Sequence, residues 1–288
     1  MTRLISAELF KLRKRSMPFI LLAVLVGILV IIYLLLLAIS NVNLAQFGGA
    51  NAHGMENISK LLGLPIAIPV ALSMLASFGG VLSVILMAST VGNEYNWRTI
   101  RTMLISSESR TKLLIAKLVA VILYVFLGML IGVVVGFIMS MITTAIGGYS
   151  FDFSFFTGSY AWEQFLQFWR TMYSLTPPLL LGFLFAIVGR SAMPGIALGI
   201  GVFFLESIIT AFMTLAGGWI ADVPNYLLAA NVRALSTSSS LPQDIGSGFG
   251  GGSTAMPSLE HAFLTLGIYS VVFLALGFYL FRKRDVTG

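Results

Sequence analysis

Residues 118–146 contain no charged side chain. A run of that length and polarity suits a bilayer rather than water, because roughly 20 apolar residues rising about 1.5 Å each cross about 30 Å of hydrocarbon. Five more apolar runs recur along the sequence, so the candidate spans are residues 18–39, 65–91, 113–146, 172–189, 193–216 and 261–281. In lipid, only helices and closed barrels satisfy every backbone polar group. The strict alternation of a barrel strand is missing here, so the chain reads as an all-α polytopic membrane protein with six transmembrane helices. Composition agrees, since 10% of residues are charged, against about 25% in a soluble domain. The first run is too long for the hydrophobic region of a signal peptide, and no small-residue cleavage pattern follows it, so it is expected to be retained.

Orientation follows from where the bases fall. Fourteen of the seventeen Lys and Arg residues lie on one side of this six-span layout, in residues 1–15, 98–117, 190 and 282–284, and only Lys60, Arg170 and Arg233 lie on the other. The positive-inside rule makes the basic side, and with it both termini, cytoplasmic. The net charge of +6 sits beside span ends, where anionic lipid headgroups are nearer than nucleic acid, and no nucleic-acid partner is expected. In residues 1–15, Ile5, Leu9 and Leu12 share one helical face while Arg3, Lys11 and Lys14 share the opposite one. This predicts an interfacial helix lying on the inner leaflet. On the outer side, residues 222–235 begin with a cap-like Asp222 and the early Pro224, predicting a short external helical element before span six. Tyr160, Trp162, Trp169, Tyr173, Trp219 and Tyr226 would form the outer aromatic belt.

Little in the sequence supports catalysis. There is no G-x-x-x-x-G-K-[S/T] loop to cradle a nucleotide phosphate, no cysteine, and no metal-ligand or nucleophile pattern around His53 or His261. The chain is not expected to be an enzyme itself or to bind a metal. Glu206 is the one acid well inside a span, where a charge costs about 2.5–3.5 kcal/mol on insertion scales. It is a translocation-path candidate, or a buried acid that hydrogen-bonds a neighbouring helix. Gly128, Gly132 and Gly136 on span three, and Gly195 with Gly199 on span five, permit close helix approach, either between subunits or within one. Pro177, Pro178 and Pro194 mark kinks or breaks near spans four and five.

The richest segment is residues 92–117, which joins span two to span three. It combines Glu94, Trp97, Arg98, Thr99, Arg101, Arg110, Lys112 and Lys117 with an apolar set at Ile100, Met103 and Leu104. A solvated connector has no use for Trp97 or that apolar set, so a short amphipathic helix docking on a partner or on lipid is expected.

On Gly92-x-Glu94, Trp97-Arg98-Thr99-Ile100-Arg101-Thr102, Ser109-Arg110-x-Lys112 and Lys117, the chain resembles the membrane subunit of ABC-2 type ABC exporters. It departs from that pattern at Arg98, where the family usually carries Gly before the Thr. The resemblance implies a cytoplasmic coupling helix within residues 92–112 that touches a separate ATP-binding subunit, Glu94 and Arg101 pinning that helix and Trp97 entering a cleft of the partner. It further implies two copies of that subunit holding ATP and Mg, a second permease subunit, identical or homologous, and a bacterial-type plasma membrane. The alternative left by the residues alone is a stand-alone ion-coupled transporter or channel using Glu206.

Overall fold

The computed structural model describes residues 1–41, 63–96, 110–147, 151, 153–216, 218–236 and 257–283. The chain opens with α1 (Thr2–Lys14), which turns Leu12 and Glu8 inward. Arg15 leaves the helix in an extended conformation, and α2 (Ser16–Asn41) starts at the next residue. A 3₁₀ turn, Leu64–Ile66, leads into α3 (Ala67–Asn96), and α4 (Arg110–Ile146) is the longest element. Then come α5 (Gly158–Gly189), α6 (Ala192–Ala216), a 3₁₀ stretch Gly218–Tyr226, α7 (Leu228–Ser236) and α8 (Leu259–Lys283). Among the described residues there is no strand. Pro18, Pro69 and Pro194 each fall in the first turn of their helix, where the missing N–H costs nothing.

Six helices, α2 to α6 and α8, are long and apolar enough to cross a membrane. They differ sharply in burial: 61% and 72% of the apolar windows of α3 and α5 are buried, against 11% for α6 and α8. The pair α3 and α5 is therefore the centre, with the other spans around it. Its backbones touch, since a Cβ at Gly182 would meet the Val84 backbone 2.7–3.2 Å away.

The ends of the helices sort by charge. Leu12, Val91, Leu114, Ile187 and Phe281 belong to one buried cluster, so α1, the end of α3, the start of α4, the end of α5 and the end of α8 meet at one pole. The first residues and the last described ones therefore share that pole. At the opposite pole Leu228, Val232 and Leu235 of α7 pack with Leu181, Ala262 and Leu266.

Three expectations need correction. The fourth helix starts at Gly158, not near residue 172. Its first turns carry Gln164, Gln167 and Thr171, which break the apolar run but are turned inward and buried, while the Thr157 side chain caps the start by accepting from Tyr160 N. Pro177 and Pro178 do not break α5. Thr171, Ser174 and Thr176 donate their hydroxyls to carbonyls one turn back, so these polar side chains are satisfied inside the helix. Asp222, exposed, and Pro224, buried, fall in the 3₁₀ stretch, and the external α-helix begins later, at Leu228, with a different cap described below. Of the two readings of the glycines, the contacts are internal: Gly132 lies against Leu75, Gly136 against Ala71, Gly195 against Ala88 and Ala186, and Gly199 against Val84. Gly128 is not in close contact at all, a Cβ there reaching only Leu22 at 3.8 Å.

Candidate functional site

Helices α3 and α4 run past the expected apolar limits, to Asn96 and from Arg110. They thus carry rigid helix up to both roots of the connector between them. Trp97, Arg98, Thr99 and Arg101, with the proposed helix they belong to, lie outside the described residues. Arg110 opens α4, and Lys112 is exposed one turn before Lys117.

At those roots four ionisable side chains from three helices meet. Lys117 Nζ on α4 donates to Glu94 Oε1 on α3 at 2.6 Å and to Glu8 Oε2 on α1 at 2.7 Å. Lys11 Nζ donates to the other Glu8 oxygen and stands 3.9 Å from Glu94 Oε1. The side chains of Lys117, Glu8 and Glu94 are each only 3% exposed. Two carboxylates and two ammonium groups leave the cluster neutral, and Lys117 is the shared centre. Burying any one of these charges alone would cost several kcal/mol, so the group holds together only as a set. Burial by itself would push the Glu8 carboxyl up, but Lys117 and then Lys11 outweigh it and hold it below the ordinary value of 4.5.

Glu94 and Lys117 therefore turn toward each other and toward α1 rather than outward. Glu8 was not among the residues singled out by the sequence, although its face is readable: it precedes the buried Leu12 by four positions and Lys11 by three. Gly92 has its own reason to be glycine. A Cβ there would overlap the backbone of Ser191 and Ala192 at the turn between α5 and α6. That turn carries Arg190 in the left-handed region at φ 50° and packs against α3 at Gly92.

Glu206 lies at the opposite pole. Its Oε1 accepts from Leu228 N at 3.1 Å and its Oε2 from Ala229 N at 2.6 Å. The carboxylate thus satisfies the first free amides of α7 and stands at the positive end of its dipole. Gln167 Nε2 holds the other end of the same helix, donating to the Leu235 and Ser236 carbonyls. Of the two readings for Glu206, this geometry supplies the structural one, with both oxygens engaged inside the chain. Among the described residues no group of three His, Cys, Asp or Glu is placed to hold a metal ion.

A chain whose described residues are helical, with six helices of spanning length, apolar outer faces and most of its bases at one pole, has the makeup of a polytopic membrane protein. Residues 62–287, most of the chain, match the family described as "Protein of unknown function (DUF2705)", and the chain belongs to that family. It is also 26% identical over 217 residues to "Uncharacterized protein YhcI" of Bacillus subtilis (strain 168), a match covering 73% of this chain and 65% of that protein's length.

Proposed function

We propose that the chain is the membrane subunit of an ATP-driven ABC exporter of the ABC-2 type, inserted in a bacterial plasma membrane with both termini cytoplasmic. It forms part of the translocation path and couples to a separate ATP-binding subunit, which holds the ATP and Mg. The observation that carries this reading is the ion network at the connector roots. A connector can pass force into the bilayer only if it is stiffly joined to the spans, and Lys117 ties the end of α3, the start of α4 and helix α1 into one unit. In this reading Trp97, Arg98, Thr99 and Arg101 contact the ATP-binding subunit, while Glu94 and Lys117 hold the connector's base. The apolar outer faces of α6 and α8, with Phe204, Phe212 and Leu264 each at least 66% exposed, are to be covered by lipid or by the second permease subunit. The test is coupling: Arg101→Glu or Trp97→Ala in the reconstituted complex is expected to leave basal ATP hydrolysis while abolishing transport, and unimpaired transport in both variants would overturn the assignment.

A further inference from the structure

α1 carries one acid and, with Arg15, five bases. The acid, Glu8, is buried against Lys117 and Lys11. What α1 shows outward is therefore cationic without exception: Arg3, Arg13 and Lys14 are exposed, and Lys14 stands over the ring of Phe10, itself 61% exposed, at 5.6 Å. A shallow hollow runs along this helix, lined among the described residues by Thr2, Arg3, Ser6, Ala7, Phe10 and Lys11. The lining joins two cations, two hydroxyl groups and one aromatic ring. A single residue, Arg15, separates α1 from α2, and α2 is itself long and apolar enough to span, so α1 cannot leave the headgroup layer in which that span begins.

We infer that the outward face of α1 is a binding site for anionic phospholipid headgroups of the bilayer. Arg3 meets the phosphate, and the exposed Arg13 and Lys14 add positive charge along the same helix, while Lys11 stays paired with Glu8. Ser6 and Thr2 supply hydroxyls for the headgroup oxygens, and Phe10 inserts at the boundary with the acyl chains. Turning Glu8 inward is what makes the face selective, since an exposed carboxylate there would repel the same headgroups. The inference rests on the chain being membrane-inserted, but not on its having an ATP-binding partner, so the two can fail separately.

The full chain has no cysteine, so Ala7→Cys gives a unique labelling point beside the hollow. A dye at that position is read by its quenching with acrylamide, a neutral quencher, in vesicles of phosphatidylcholine with and without phosphatidylglycerol. Phosphatidylglycerol is expected to protect the dye, with protection lost at high salt. Each neutralised base is expected to weaken phosphatidylglycerol binding roughly fivefold, so the triple variant Arg3→Gln, Arg13→Gln, Lys14→Gln loses it about a hundredfold. All three positions are exposed and leave the Glu8 cluster intact, so the variant keeps its fold. Equal quenching in both lipids would overturn the inference. So would protection that survives the triple variant, or protection that appears only when a soluble protein partner is added to phosphatidylcholine vesicles.

Discussion

At the scale of single residues, the cluster around Lys117 makes unequal predictions for its members. Removing Lys117 leaves Glu8 and Glu94 buried at one site without their shared central cation. Removing the Glu8 charge still leaves Lys117 paired with Glu94. Lys117→Met is therefore expected to cost about 3–5 kcal/mol, the range for breaking a buried ion pair, and Glu8→Gln about 1–3 kcal/mol, the range for one unmet buried group. Unfolding of the two variants in lipid nanodiscs checks the order, and equal losses would contradict a shared centre. The same cluster sets a pH dependence. The Glu8 pKa is lowered on folding, so its contribution is fully present above the ordinary carboxylate value and is lost as pH falls through the lower folded value. The thermal unfolding midpoint of the chain in nanodiscs should hold at neutral pH and begin to fall only well below pH 4.5. In Lys117→Met that onset should shift to higher pH. The sequence showed Glu94 and Lys117 as functional candidates but not their mutual contact. Glu8 and Lys117 are 109 positions apart, and no local pattern encodes a partner at that distance.

At the scale of elements, periodicity and length were readable wherever lipid or core packing alone decides the residue. That holds for α2, for most of α4 and for the amphipathic α1. It fails where a polar residue is satisfied by another element. Gln167 disguised the first half of α5, because it is matched to the end of α7, 68 residues away. Asp222 looked like the cap of the external helix, yet the cap is Glu206, reaching back from α6. That assignment is testable. In Glu206→Gln the new amide nitrogen faces a backbone N–H, so one of the two hydrogen bonds is lost and the other is no longer charge-assisted. A bond of that kind contributes about 1.5–3 kcal/mol, so hydrogen exchange at Leu228 and Ala229 is expected to accelerate by roughly one to two orders of magnitude. Unchanged exchange there would return Glu206 to the translocation path.

At the scale of the whole molecule, the distribution of bases along the sequence already separated two poles, and the packing of Leu12, Val91, Ile187 and Phe281 brings the basic one together in space. In the proposed function the connector works against a partner, and such a surface has no match inside one chain. The connector at residues 97–109 carries an aromatic and clustered bases with no counterpart in this chain's own readable pattern, whereas its roots are fixed by contacts inside it. The account therefore treats the molecule as one half of a membrane assembly with an anchored handle at its basic pole. The most direct measurement is purification of the tagged full-length chain from its host membranes in mild detergent, followed by identification of bound proteins and an ATP-hydrolysis assay. A soluble ATP-binding subunit is expected to accompany the chain and to hydrolyse ATP in the complex, with hydrolysis that no longer drives transport in Arg101→Glu. Transport by the purified chain alone, driven by an ion gradient and indifferent to ATP, would contradict it.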